Sequence, residues 1–199
     1  MSSGPPYWTV QVAVVLCWVM FAAGFAFVPR TGAREQRRDR VSQIGILIQS
    51  AAYFLAYSRP WFPQTRRPPD TLGWPLSLLA VALALGSSVL AFLAVRALGR
   101  NFGLTARVLE GHRLITSGPY ALVRNPIYTA MFGMLIASSI VFAYWPLALV
   151  AMAMFYWGTM IRIRSEERVL RAQFGEEFDR YAAVVPALVP RPWAPGGKR

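Results

Sequence analysis

Apolar residues fall in five long runs separated by short polar stretches, and that alternation predicts the architecture. Tyr7 to Val28 holds 22 residues without a charge. As a helix it rises about 1.5 Å per residue, roughly 33 Å in all, enough for a hydrocarbon core of about 30 Å. Tyr7 and Trp8 suit the interface at its start, and Pro29 closes it. Val41 to Ser58 is a second, shorter and weaker span that carries Gln43 and Gln49. Arg59 to Asp70 contains four prolines and reads as a loop with an interfacial Trp61. Leu72 to Leu98 is the longest run; Pro75 is tolerable near its start and Arg96 can snorkel at its end. Pro126 to Tyr144 is a fourth span, and Trp145-Pro146 marks a tight turn. Leu147 to Ile161 is a fifth, short unless it extends from Trp145 into Arg162. The last two form a helical hairpin.

The expected fold is therefore all-α, with about five transmembrane helices. Residues 1–98 would supply three of them. Residues 99–190 would form a core around the hairpin, and 191–199 a loose tail.

Composition agrees with a membrane reading: 55% of the 199 residues are hydrophobic and the mean hydropathy is +0.38. A net charge of +12 admits nucleic acid or anionic lipid as partner. No nucleic-acid motif accompanies the charge, so lipid headgroups are the reading kept. Segments 29–40, 96–125 and 162–199 hold 5, 5 and 8 basic residues, against three in 58–71. The positive-inside rule then puts the N-terminus outside and the C-terminus in the cytoplasm of a cell inner membrane. Both conspicuous polar stretches share that cytoplasmic side. The lone Cys17 offers no intrachain disulfide, no metal spacing is present, and the first run lacks the basic n-region of a signal peptide.

Those polar stretches are Gly111 to Tyr128, GHRLITSGPYALVRNPIY, and Arg162 to Tyr181. Gly118-Pro119 is a turn signal. Asn125-Pro126 matches a helix N-cap followed by N1, the Asn side chain accepting from free backbone N–H groups. In the second stretch, residues 162, 166, 170, 174, 178 and 181 form one helical stripe that begins with the i,i+4 pair Arg162–Glu166. A charged pair heading an apolar stripe at a membrane exit needs a partner or ligand; a structural salt bridge is the plain alternative. Glu167 lies about 100° round the helix, within reach of Arg164 and Arg171, where a solvated ion pair accounts for it. Gly175 is placed to end the helix early, which would take Phe178 and Tyr181 off the stripe.

The two blocks, HRLITSGPYALVRNPIY and EERVLRAQFGEEFDRY, resemble the isoprenylcysteine carboxyl methyltransferase family, in a prokaryotic-type integral membrane form. The likeness covers roughly residues 99–190, with the hydrophobic hairpin between the blocks. It implies an S-adenosylmethionine-dependent enzyme whose site is built from the 99–128 loop and a C-terminal helix. By position, it implies cofactor contacts from His112, Arg113, Leu114, Ile115, Tyr120, Asn125, Pro126, Tyr128 and Glu166. It puts Arg162 at the substrate and makes Arg162 and Glu166 the catalytic pair. The family pattern has His before the proline; here Asn125 can still donate a hydrogen bond but cannot be a base.

The implied chemistry suits these residue types. A sulfonium methyl is already electrophilic, so its transfer needs alignment more than acid–base help. A carboxylate acceptor is ionised at neutral pH and needs no base. The acceptor would be a prenylated cysteine or a small isoprenoid or lipid-like molecule entering from the bilayer. Three alternatives stay open: a phospholipid or amine N-methyltransferase, an NADPH-dependent enzyme like the membrane sterol reductases, and a non-catalytic membrane scaffold.

Overall fold

The computed structural model describes residues 4–26, 40–58, 61, 72–99 and 114–190. These residues form helices α1 (Tyr7–Ala26), α2 (Arg40–Ala56), α3 (Trp74–Leu98), α4 (Pro126–Phe142), α5 (Trp145–Phe174) and α6 (Glu176–Val184). A single 3-10 turn, Gly118–Ala121, precedes α4. No strand occurs among the described residues, so the fold is all-α as the apolar runs predict.

Among the described residues three helices, α1, α3 and α5, are long and apolar enough to cross a membrane; α2 and α4, at 17 residues each, are shorter. Large apolar side chains face outward on several helices, as Val19 (61% exposed), Leu47 (69%) and Leu78 (64%) show. Outward apolar faces on helices of this length belong in lipid, and the protein is an integral membrane protein.

Neighbouring helices run in the order α1, α3, α4, α5, α2, with α4 also touching α1 and α2. Lipid tails are as apolar as leucine, so the helices gain little from hydrophobic burial against one another and rely on close packing. The sequence provides for this with small residues. Ala80, Ala84, Ser87, Ser88, Ala91 and Ala94 make up most of the buried face of α3. A Cβ at Gly133 of α4 would come within 2.3 Å of Ser87 Oγ, so the Ser87 side chain of α3 packs directly on the α4 backbone there.

Hydrogen bonds then fix the register. Ser88 Oγ donates to the Cys17 carbonyl at 2.8 Å, and Trp18 Nε1 donates to Ser138 Oγ at 3.0 Å. Tyr53 OH donates to the Met131 carbonyl at 2.7 Å.

The fifth apolar run and the second polar block turn out to share one helix. At about 1.5 Å per residue, the 30 residues of α5 reach roughly 45 Å, well beyond the hydrocarbon core. The first polar block abuts that projecting end. The helix stops where Gly175 takes φ +51°, a left-handed conformation that glycine adopts without steric cost. The stripe is thereby cut: Leu170 and Phe174 are half-buried on α5, while Phe178 is buried from α6. Arg171 Nε, 2.7 Å from Asp179 Oδ1, ties the two helices across the break.

Candidate functional site

Two clusters are built where the polar blocks meet. The first centres on Arg162. Its Nη2 lies 3.5 Å from Glu166 Oε1, one turn along α5, and its guanidinium stands 5.0 Å from the centre of the Tyr128 ring. Tyr128 OH donates to the same carboxylate oxygen of Glu166. From α2, Gln49 Oε1 accepts from Arg162 Nη1 at 3.2 Å, and Gln49 Nε2 donates to Thr159 Oγ1 at 2.7 Å. The Arg162 and Glu166 side chains are 11% and 22% exposed. One cation, one carboxylate, one aromatic face and one amide therefore meet at a mostly dry point supplied by three helices.

The second cluster centres on Arg124. Its Nε lies 2.9 Å from Glu167 Oε1, with side chains 14% and 16% exposed. Its Nη1 donates to the Ala182 carbonyl at 2.8 Å and to the Val185 carbonyl. The chain after α6 runs back along the start of α4. Arg124 N donates to Pro186 O at 2.8 Å, Asn125 N to Ala187 O at 3.1 Å, and Thr129 Oγ1 to Leu188 O at 2.6 Å. From α6, Tyr181 OH donates to the Tyr120 carbonyl at 2.6 Å. Residues 182–188 thus form a strap that clasps the first polar block onto the second.

Burial raises the hydroxyl of Tyr120 well above the ordinary tyrosine range, Tyr181 and Glu166 adding to the effect. Tyr181 is pushed up to about 12, again chiefly by burial, with Arg124 opposing and Glu167 reinforcing the shift. Both remain neutral hydrogen-bonding groups at physiological pH.

Two sequence expectations need correction. Glu167 is not a solvated partner of Arg164 or Arg171; it pairs with Arg124, which is 43 positions earlier and brought near by the fold. Asn125 does precede α4, but its side chain makes no capping bond. Its Nδ2 donates instead to the Ala187 carbonyl at 3.2 Å, because the strap offers an acceptor there. Pro126 at N1 needs no capping acceptor of its own.

Of the residues singled out from the sequence, Tyr128, Arg162 and Glu166 converge. Tyr120, Asn125 and the fully buried Pro126 lie on the adjoining clasp. Leu114 and Ile115 are half-buried in irregular chain ahead of the turn. His112 and Arg113 lie outside the described residues. Gln49, Thr159 and Thr129 were missed as site residues. Gln49 had left a signal, a long amide within an apolar run, which in a membrane helix calls for a partner.

A cavity of about 120 Å³ lies beside the first cluster, lined by Tyr128, Phe132, Phe155, Thr159 and, from the end of the strap and just beyond it, Leu188 and Val189. A larger one, about 360 Å³, sits at the other end of the α4–α5 hairpin around Tyr144 and Trp145. It has apolar walls and includes none of the site residues, so size does not mark the chemistry here.

The sequence matches the model of the isoprenylcysteine carboxyl methyltransferase (ICMT) family over residues 79–172. That range takes in most of α3, the first polar block, the hairpin and the Arg162–Glu166 pair. Among relatives, a probable protein-S-isoprenylcysteine O-methyltransferase from Oryza sativa subsp. indica is 32% identical over 120 residues, 59% of this chain and 62% of the relative. Protein-S-isoprenylcysteine O-methyltransferase B from Arabidopsis thaliana is 28% identical over 120 residues, 59% and 60% of the two chains. Protein-S-isoprenylcysteine O-methyltransferase from Xenopus laevis is 31% identical over 153 residues, 73% of this chain and 52% of the relative. The chain thus spans between about half and three fifths of the length of these relatives. The likeness first read from two short blocks thus recurs as a similarity to the isoprenylcysteine carboxyl methyltransferase family over residues 79–172, somewhat under half of the chain.

Proposed function

We propose that this protein is a membrane methyltransferase that esterifies the carboxylate of a prenylated cysteine or a small isoprenoid acid, with S-adenosylmethionine as donor. The observation that carries the reading is the meeting of Tyr128, Arg162 and Glu166, drawn from the two blocks that resemble the family. The donor set fits the cofactor's chemistry: a largely buried carboxylate can accept from a nucleotide's hydroxyl or ammonium groups, and an aromatic face suits a cation. The neighbouring cavity, at about 120 Å³, is smaller than the roughly 300–1,000 Å³ usual for a whole ligand. Its apolar walls suit part of a hydrocarbon chain. His112 and Arg113, assigned by resemblance to the cofactor, would add to the site from outside the described residues.

When bound, S-adenosylmethionine supplies an electrophilic methyl group. The protein's task is then to hold and exclude. Arg162, fixed by Gln49, Glu166 and the Tyr128 ring, presents an oriented cation to the acceptor carboxylate and sets its line of approach. Glu166 and Tyr128 would hold the cofactor's polar and cationic parts. Tyr120 and Asn125 act through the clasp, the Tyr120 carbonyl accepting from Tyr181 and the Asn125 amide donating to Ala187. A carboxylate acceptor requires no base, so the absence of the family's histidine at position 125 is compatible with ester formation.

All five apolar helices would cross the inner membrane, with the N-terminus outside and the site on the cytoplasmic side. The acceptor reaches it from the bilayer.

The test is calorimetric titration of detergent-purified protein with S-adenosylmethionine and, separately, with NADPH. Methyl-transfer assays with prenylcysteine carboxylates and with lipid amines follow. The reading expects binding of the methyl donor and a base-labile methyl ester. Binding of NADPH alone, or methylation confined to amines, would overturn it.

A further inference from the structure

We propose that Gln49 of α2 is a positioning residue: it holds the Arg162 guanidinium in place for the acceptor. The inference rests on the methyl-transfer reading for what Arg162 does, and on the structure for how Arg162 is held. Helix α2 lies outside the segment matched to the family.

Gln49 is 3% exposed within a mostly apolar helix. A buried amide must satisfy both of its ends or bear the cost of desolvating them. Here the amide can face only one way. A guanidinium has no acceptor, so the oxygen must point at Arg162. The nitrogen is then left to donate to Thr159, three residues before Arg162 on α5.

The same face of α2 makes room for the rest of the arginine. A Cβ at Gly45, one turn before Gln49, would come within 2.5 Å of Arg162 Cγ and 2.7 Å of the Gly158 carbonyl. A Cβ at Gly158 would in turn come within 3.0 Å of the Gly45 carbonyl. Two facing glycines therefore bring α2 and α5 close. The arginine stem passes over bare backbone at Gly45, and its head lies between Gln49 and the Tyr128 ring. This geometry constrains the cation from a second helix, which Glu166 on its own helix does not do.

The proposal is tested first on the substrate-free protein. Phenylglyoxal modifies exposed guanidinium groups, and peptide mapping resolves Arg162 from Arg124, whose side chain is of similar exposure. In Gln49→Met the modification rate of Arg162 should rise at least fivefold while that of Arg124 stays within twofold. Gln49→Glu keeps an acceptor oxygen and should retain the protection. An unchanged Arg162 rate in Gln49→Met, or an equal rise at both arginines, overturns the proposal, the second because it shows general loosening. Should Gln49→Met fail to fold, Gln49→Leu serves as the replacement on the same criterion.

Kinetics separates this proposal from the reading beneath it. In Gln49→Met the acceptor KM should rise about tenfold with S-adenosylmethionine affinity within twofold. In an Arg162→Ala background the same substitution should add nothing. If Arg162 becomes reactive but the acceptor KM does not move, Gln49's hold on Arg162 stands and the assignment of Arg162 to the acceptor falls.

Discussion

The α1–α3–α4 side of the bundle and the α2–α5 side solve the same packing problem with different chemistry. On the first, Val10, Val14, Phe21, Ala80, Ala84, Ala91 and Met134 form a core of interchangeable apolar surfaces, with a few hydroxyl and indole bonds setting register. On the second, Ala52, Ala56, Leu135 and Phe155 make a smaller core, and beyond it lie Gln49, Thr159, Arg162 and Glu166. A dry apolar face tolerates many sequences of similar volume. A buried polar network tolerates few, since every partner lost strands another. The contrast teaches where specificity resides: the first side holds the scaffold together, and the second holds a charge in place.

The neighbouring carboxylates Glu166 and Glu167 sharpen the contrast, and the largest expected effect concerns the former. Glu166→Ala should weaken S-adenosylmethionine binding about a hundredfold or more, the loss of several kcal/mol typical of truncating a buried charge partner. Titration calorimetry measures it; a change within threefold would remove Glu166 from the cofactor site.

Next comes Glu167→Ala. It strands Arg124 and should cost about 3 kcal/mol of stability, as breaking a buried ion pair does. Protease cleavage near residues 185–190 should increase with it. A loss of cofactor binding in this variant without loss of stability would contradict the division into a site carboxylate and a clasp carboxylate.

A pair of glycines probes the two sides directly. Gly45→Ala drives a methyl group into Arg162 and the Gly158 carbonyl and should destabilise by about 2 kcal/mol. Gly86→Ala on α3 meets nothing within 4 Å and should stabilise by up to about 1 kcal/mol through helix propensity. Denaturation in detergent micelles compares them; equal effects would mean that α2 and α5 have room to spare.

The smallest effect is at Tyr181. Tyr181→Phe removes the bond to Tyr120 and should cost about 1 kcal/mol. The wild-type bond has a pH signature. Because the folded pKa is raised from 10.0 to about 12, the contribution is complete below pH 10 and is lost as the pH climbs through 12. Stability measured between pH 9 and 12 should fall more steeply in the wild type than in Tyr181→Phe.

Amino-acid order alone determined the helices, because a run of about 20 apolar residues has few other ways to satisfy its backbone in lipid. It also marked the Arg162–Glu166 pair by its i,i+4 spacing, while Tyr128 entered through the resemblance of the first block to the family. The choice of partners was decided only in three dimensions. Glu167 had Arg164 and Arg171 within helical reach, yet the fold delivered Arg124 to it. Asn125 carried every local sign of a cap, but the returning strap placed a carbonyl nearer its amide. Gln49 announced that it needed a partner without saying which. Local sequence limits what a side chain can bond to; the packing of distant helices settles which of those groups arrives, and burial makes that one pairing count.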